Sequence, residues 1–191
     1  MSQTKKNIIL EKAAILFRKK GYGATSMRDL AKEVGMEAAS LYNHISSKQE
    51  ILNEILITMS NHLIERMDEI EKSDKSPLDK IKAIISLHIR ATVNNPNNMS
   101  LIAHEWRHLE GDNFLIFNAR KVNYEKRFKA IIIQGIFQGQ IKKVNSNIAL
   151  FSILASLCWF YDWYNKQNGF TVRELESQFS EILIGGLEIK K

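Results

Sequence analysis

Residues 9–52 read ILEKAAILFRKKGYGATSMRDLAKEVGMEAASLYNHISSKQEIL, and this stretch decides the fold of the N-terminal part of the chain. Apolar residues recur at three- and four-residue spacing up to Gly21, which predicts a first helix that ends at a glycine. A second helical pattern closes at Gly35, and a third, short one follows over about residues 38–44. Short helices on either side of a glycine turn are typical of a helix-turn-helix, a module that places one helix in the major groove of DNA.

The second and third helices each show a distinct pattern. Thr25 and Ser26 both carry a hydroxyl that can cap the second helix, and Asp29 stands near the amides of its first turn. On the third helix, Leu41 and Ile45 are predicted to pack against the first two helices. Tyr42 and His44 are predicted to face outward, and such side chains are unusual on a helix face that contacts only solvent. The outward face carries Glu37, Ala38, Ala39, Ser40, Tyr42, Asn43 and His44.

Positive charge is concentrated in the same part of the chain. Residues 1–48 contain nine Lys and Arg against four Asp and Glu, a net charge of +5, whereas the remaining 143 residues carry only +1. Such a surplus is what a phosphate-binding surface requires. A lysine-rich, solvated N-terminus without a partner is the alternative that charge alone leaves open.

The whole chain is predicted to be all-α. Its 191 residues include only two prolines, 45% are hydrophobic, and no stretch shows the alternating pattern of a strand. We expect a three-helix DNA-binding domain over residues 1–48 and a helical ligand-binding and dimerisation domain over residues 49–191, with about nine helices in all. No window approaches 18 uncharged apolar residues and no signal peptide is evident, so we expect a cytoplasmic protein that contacts no membrane.

The later helices are predicted from their caps and apolar spacing. A fourth helix covers about residues 48–72, Pro77 opens a fifth, Pro96 starts a short sixth, and a long helix follows Gly111. Cys158 lies in an apolar helix, and we expect a buried, inert thiol rather than a redox sensor. The last two helices are predicted over about residues 146–166 and 171–188, separated by Asn168 and Gly169.

One motif offers enzyme chemistry. Residues 104–108 have the H-E-x-x-H spacing that places two imidazoles on one helical face for zinc, with a glutamate as base. The longer zincin signature needs a third histidine where this chain has Phe114, and no histidine follows residue 108, although Glu125 offers a carboxylate. We therefore expect no catalysis, metal or cofactor. Instead, His104 and His108 should pack beside Trp106 or face solvent.

Aromatic residues are concentrated in the second predicted domain. A helical bundle lined with them can hold an apolar ligand, although plain core packing is the commoner role of such side chains. Basic residues that border a cavity can pair with an acidic head group, while exposure to solvent is the alternative. The residues that we predict to bind ligand are Arg90, Trp106, Arg107, Phe114, Phe117, Arg120, Tyr124, Phe128, Trp159 and Trp163.

The N-terminal segment closely resembles the DNA-binding domain of the tetracycline-repressor (TetR) family of transcriptional regulators. This chain departs from the family pattern at Ile45, where most members have Phe, and at residues 37–39, where Glu-Ala-Ala replaces a Ser-Lys-Gly type of entry. Glu37 would repel phosphate and favour cytosine N4, which affects the operator sequence. The matching residues are Ala13, Leu16, Phe17, Gly21, Tyr22, Thr25, Ser26, Met27, Asp29, Leu30, Ala31, Val34, Gly35, Leu41, Tyr42, His44, Lys48 and Leu52.

The resemblance implies a docking mode on DNA. Phosphate contacts set the position of such a module, and contacts with base edges set its specificity. The predicted DNA-binding residues are Thr25, Ser26, Tyr42, His44 and Lys48, which should hold phosphates, Glu37, Ala38, Ala39, Ser40 and Asn43, which should approach bases, and Arg28.

A weaker resemblance covers residues 99–187, which look like the ligand domain of the TetR branch that senses acyl-coenzyme A thioesters. It implies a small apolar or fatty acyl-CoA inducer, with the acyl chain among aromatic residues and the phosphates near basic ones. The motifs that carry it are Glu105-Trp106-Arg107, Arg120, Tyr124, Gly135 with Gly139, Trp159, Trp163-Tyr164, Gly169, and the end from Phe179 to Leu187 with Gly185-Gly186.

The family consists of homodimers in which the last two helices of each subunit form a four-helix interface. In this sequence those helices are apolar on more than one face, which agrees with a two-fold partner and a palindromic operator. The resulting expectation is a ligand-released repressor; a metal-dependent hydrolase and a helical protein-binding scaffold remain the alternatives. The predicted interface residues are Leu150, Leu154, Leu157, Tyr161, Phe179, Leu183 and Leu187.

Overall fold

The computed structural model describes residues 4–164 and 169–188, and within these ranges the chain is helical without any strand. The all-α prediction is therefore confirmed. A 3-10 helix, Glu105–His108, follows the sixth α-helix. The α-helices are α1 (Lys5–Lys20), α2 (Met27–Val34), α3 (Ala38–Tyr42), α4 (Lys48–Lys72), α5 (Pro77–Asn94), α6 (Pro96–His104), α7 (Gly111–Phe137), α8 (Ser146–Tyr164) and α9 (Val172–Gly185).

Local hydrogen bonds explain where the first helices begin and end. Ser26 caps α2 in a capping box: its hydroxyl accepts from the Asp29 amide, and the Asp29 carboxylate accepts from the Ser26 amide. The Ser26 hydroxyl and amide both donate to the Asp29 carboxylate and, with Lys20 nearby, hold the pKa of Asp29 well below its usual range. Gly35 ends α2 in the left-handed conformation, with a φ of 74°, which an L side chain rarely adopts.

The chain folds into two compact units. The first comprises Met1–Ser60 with Asn97–Asn118, and the second comprises Asn61–Pro96 with Ala119–Lys191. The first unit extends beyond residues 1–48, because Leu101, Leu109 and Phe117 join the same buried core as α1–α3; the domain boundary at residue 48 stays a prediction.

The second unit is built around α5, which packs against α8 and α9. Its core contains Ile81 and Ile84 of α5 together with Phe128 of α7 and Phe160 of α8, all buried. Gly135 lies at a close approach near the end of α7. A Cβ built there would be 2.5 Å from Cδ1 of Ile141 and 3.3 Å from Cβ of Pro77, so only glycine fits without movement.

Some details differ from the sequence-based expectations. The third helix ends at Tyr42 rather than His44, and the last helix ends at Gly185 rather than 188. The expectation that Cys158 is buried is wrong: it is exposed, because it lies on the outer side of α8 in the single subunit. The predicted position of Asn168 lies outside the described residues.

In the described part of the chain, none of the helices combines the length and apolar character needed to cross a bilayer.

Candidate nucleic-acid interface

The third helix, α3, is held by one buried side and offers the other to solvent. Leu41 is completely buried and Ile45 nearly so, as predicted. Because neighbouring positions on a helix point to different sides, Tyr42 becomes exposed. Glu37 precedes the helix and makes no side-chain capping bond. The predicted base-contacting residues are exposed at Glu37, Ala39, Ser40 and Asn43 and half-buried at Ala38.

Two of the predicted phosphate contacts already hold partners inside the protein. The Thr25 hydroxyl is buried and donates to the carbonyl oxygen of Gly21 at 2.8 Å. The Ser26 hydroxyl donates to the Asp29 carboxylate at 2.7 Å. Thr25 therefore closes the turn between α1 and α2 rather than capping α2, and neither hydroxyl can bind phosphate without leaving its present acceptor.

Lys48 is similarly committed. Its ammonium group donates to the backbone carbonyl oxygens of Tyr22 and Thr25, both at 2.8 Å. The same nitrogen lies 4.2 Å from the centre of the Tyr22 ring, within cation–π distance. Lys48 thus fastens the turn between α1 and α2 to the start of α4.

The 3-10 helix packs against the same place. The His108 ring lies 5.3 Å from the Tyr22 ring, centre to centre, and the His108 carbonyl oxygen accepts from the Gln49 side-chain amide at 2.6 Å. Burial, and to a smaller extent the charge of Glu110, raise the pKa of Tyr22 to about 12. Tyr22 therefore stays neutral and acts as a packing surface between Lys48 and His108.

Basic residues divide into paired and outward-facing groups. Lys6 contacts Glu54 at 2.6 Å, and Lys20 contacts Asp29 at 3.0 Å. Arg28 and Lys32, by contrast, are exposed on α2. The positive charge available to bind phosphate is consequently smaller than the net charge of +5 counted over residues 1–48.

The H-E-x-x-H segment does not form one helical face. His104 ends α6, whereas residues 105–108 form a 3-10 helix, so the α-helical i, i+4 spacing is broken between the two histidines. His108 instead contacts the Glu105 carboxylate at 3.3 Å. Within residues 4–164 and 169–188, no cluster of three or more potential metal-ligating side chains occurs.

The predicted ligand-binding residues fall in both compact units. In the first unit, the Trp106 ring stacks on Phe114 and Phe117 with centroid distances of 5.9 and 6.0 Å, and Arg107 lies over the Trp106 ring. In the second unit, Tyr124 and Phe128 are buried, Arg90 pairs with Glu176, Arg120 donates to Asn61, and Trp159 and Trp163 lie at the surface.

Two polar residues in the core of the second unit, His88 and Thr92, were not predicted from the sequence. Nε2 of His88 lies 2.9 Å from the hydroxyl of Tyr124. Burial lowers the pKa of His88 to about 4 and raises that of Tyr124, so both are neutral near pH 7. The Thr92 hydroxyl is buried without any hydrogen-bond partner. Their signal in the sequence is the interruption of the apolar pattern of α5 by two polar side chains.

The apolar surface of α8 and α9 is not centred on the predicted interface residues. Leu157 and Tyr161 are buried within the subunit, whereas Leu150, Leu154, Phe179, Leu183 and Leu187 are half-buried. The most exposed large apolar side chains of these helices are Ile148, Phe151, Trp159 and Ile182, at 66, 73, 64 and 76%. Sequence periodicity did not identify them because α8 is apolar on all sides.

Comparison with known proteins agrees with this arrangement. Residues 9–55 match the bacterial regulatory proteins of the tetR family, and residues 74–187 match the tetracyclin repressor-like C-terminal domain. The transcriptional repressor KstR2 of Mycobacterium tuberculosis is 25% identical over 181 residues, covering 94% of this chain and 90% of that protein.

Solved structures share the fold. The structure of the ketosteroid transcriptional regulator KstR2 of M. tuberculosis matches with a TM-score of 0.92 and 23% identity, covering 100% of this chain and 98% of that one. The crystal structure of AibR in complex with isovaleryl coenzyme A and operator DNA matches with a TM-score of 0.81 and 25% identity, covering 94% and 97%.

Proposed function

The chain belongs to the tetracycline-repressor family and is a DNA-binding transcriptional regulator, and we propose that it acts as a cytoplasmic repressor. In this proposal it binds a palindromic operator as a homodimer and is released by a small ligand. The observation that carries the proposal is the outward face of α3, anchored by Leu41 and bearing the exposed Tyr42. The DNA-binding residues predicted from the sequence remain our proposal. Arg28 and Tyr42 can contact DNA without rearrangement, whereas Thr25, Ser26 and Lys48 act by holding the α1–α2 turn unless they leave their present partners.

Dimer formation accounts for the apolar surface of α8 and α9. Phe151 and Trp159 lie two helical turns apart on α8, and Ile182 extends the surface on α9. An apolar crevice of about 420 Å³, lined among others by Ile148 and Leu183, lies between the start of α8 and the end of α9. Large exposed apolar patches mark interfaces, so a two-fold partner is proposed to cover these residues along with the half-buried interface residues predicted from the sequence.

The inducer is proposed to be a small apolar molecule or an acyl-CoA thioester. The similar protein AibR supports this class, because its crystal structure contains isovaleryl coenzyme A as well as operator DNA. For this chain we propose that ligand and DNA oppose each other's binding through α4, which contributes residues to both compact units. A difference of about 3 kcal/mol between the two subunit shapes would weaken operator binding roughly a hundredfold.

A binding selection from fragmented bacterial genomic DNA, carried out at two salt concentrations, tests the proposal. Fragments that share a palindromic sequence should be enriched at both concentrations, because base contacts persist when counterions compete for phosphates. Enrichment that disappears at the higher concentration, or that lacks two-fold symmetry, would contradict a dimeric sequence-specific repressor.

A further inference from the structure

The second compact unit contains a polar site inside its apolar core. α5 places His88 and Thr92 one helical turn apart, so their side chains lie on the same face of that helix. Tyr124 of α7 meets this face through its 2.9 Å hydrogen bond with His88. Three buried side chains with hydrogen-bonding groups thus lie on or against one face of α5, a helix that also buries Ile84, Ile85 and Ile89.

The hydrogen bonds of this site are incomplete. His88 and Tyr124 bond to one another, whereas Thr92 is 99% buried and its hydroxyl has no hydrogen-bond partner among the described residues. A buried hydroxyl without a partner destabilises the protein in which it lies. A buried donor without a partner, one helical turn from the buried pair of His88 and Tyr124, is a position that an oxygen atom of a ligand would satisfy.

The charge state of the site restricts the ligand group. His88 and Tyr124 are neutral near pH 7 because burial disfavours their charged forms. Arg127, whose charge acts on Tyr124, is held by Glu71 at 2.9 Å and also contacts Asp68. The site therefore offers a carboxylate or phosphate no free counter-ion, and an uncompensated charge there would be strongly disfavoured.

We propose that Thr92, His88 and Tyr124 form the polar end of the inducer site, and that the site takes a carbonyl oxygen carried on an apolar group. The Thr92 hydroxyl donates to this oxygen, and the surrounding isoleucines contact the apolar group. The inference rests on the proposed ligand-released function and specifies the chemical group that the ligand presents. A ketone on a ring system and the carbonyl of an acyl thioester share this chemistry.

Two pairs of probe compounds distinguish a ring ketone from an acyl thioester as the group that supplies the carbonyl oxygen. The first pair is a steroid ketone and its parent steroid hydrocarbon, and the second is isovaleryl-CoA and free coenzyme A, which lacks the acyl carbonyl. Binding to the full-length protein is followed by tryptophan fluorescence and calorimetry. In at least one pair, the carbonyl compound should bind more tightly than its partner.

Thr92→Val tests the role of the hydroxyl, because valine keeps the shape of threonine and removes the donor. We expect about five- to tenfold weaker binding of the carbonyl compound, unchanged binding of its partner lacking the carbonyl, and restored binding in Thr92→Ser. The midpoint of thermal unfolding without ligand should not fall in Thr92→Val, since the hydroxyl has no partner to lose. A lower midpoint would show that the hydroxyl is bonded within the protein and would overturn the proposal.

Other outcomes are equally decisive. Equal loss of affinity for both members of a pair, or no binding of either carbonyl compound, overturns the proposed site. Operator binding by the same wild-type preparation distinguishes the two levels of inference. If a palindromic operator is bound and no carbonyl compound is, this site is refuted alone; if no operator is bound, the proposed repressor function fails.

Discussion

Lys48 illustrates how a residue predicted to contact DNA can already hold partners within the protein. Its charge and position predict a phosphate contact, but its ammonium group donates to two carbonyl oxygens, those of Tyr22 and Thr25. Arg28, on the exposed side of α2, makes no comparable commitment to a backbone carbonyl in the structure. At this scale the distinction between a DNA ligand and a positioning residue is a matter of which hydrogen bonds are already formed.

Replacement of Arg28 and Lys48 should therefore affect DNA binding in different ways. Arg28→Ala should weaken binding to all sequences and reduce the slope of log affinity against log salt by about one, because one phosphate contact is lost. Lys48→Met keeps the aliphatic stem and should weaken operator binding while leaving that slope nearly unchanged. Fluorescence anisotropy across a salt series measures both. A reduced slope in Lys48→Met would show that Lys48 does bind phosphate.

Gly135 gives a second test at the residue scale. Gly135→Ala should lower the free energy of unfolding by about 1–3 kcal/mol, since the added Cβ would overlap Cδ1 of the buried Ile141 and lies close to Pro77. Gly185→Ala is the matched control, because a Cβ there meets nothing within 4 Å. Urea unfolding of the two variants compares them directly. Equal stabilities would mean that Ile141 moves away at little cost.

Short helices depend on their end groups, and α2 is the example in this protein. The eight residues of α2 are too few to be stable alone, and the capping box of Ser26 and Asp29 supplies partners for its free amides. α3 has only five residues and lacks a side-chain cap, so its position depends on the burial of Leu41. The outward face of α3 is therefore held in place by two short helices that would not be stable on their own.

The capping box should make stability dependent on pH. Ser26→Ala should cost about 1 kcal/mol at neutral pH. Because the pKa of Asp29 is lowered on folding, its contribution is fully present above the unfolded-state pKa near 4 and is lost as the pH falls below it. Asp29→Asn should therefore be less stable than wild type at pH 7, with a difference that narrows below about pH 4. Thermal unfolding from pH 7 to pH 3 measures this; a constant difference would contradict the role of the carboxylate.

For the molecule as a whole, the proposed function requires two copies. A palindrome is read by two α3 helices, so the surface that joins the subunits is as necessary for operator binding as the helix itself. Exposed aromatic side chains on α8 are the strongest indication of where that surface lies, with Phe151 at 73% exposure in the single chain.

Phe151→Asp should convert the dimer to monomers and weaken operator binding at least tenfold, since a charge would be buried in an apolar interface. Leu115→Asp, at an exposed position of the first unit, is the control and should leave the dimer and its mass in solution unchanged. Analytical ultracentrifugation with operator titration distinguishes them. A dimeric Phe151→Asp variant would place the interface elsewhere.

Much of the fold could be predicted because it is encoded by neighbours in the sequence. Helix periodicity, the stop glycines Gly21 and Gly35, and the Ser26 cap all act within a few residues, and the structure contains each of them where expected. The exceptions occur where packing, rather than a local sequence signal, decides the outcome. α3 ends at Tyr42 rather than His44 because its length is decided by packing rather than by a local stop signal.

The sequence by itself determined the helices, the helix-turn-helix and the family, because caps, turns and apolar spacing are local properties. Only the tertiary structure decided that Lys48 is held by the α1–α2 turn, that Trp106 packs within the first unit, and that Thr92 is left without a partner. These facts depend on residues brought together from distant parts of the chain, and hydrogen bonding and burial between such residues leave no periodic trace in the sequence.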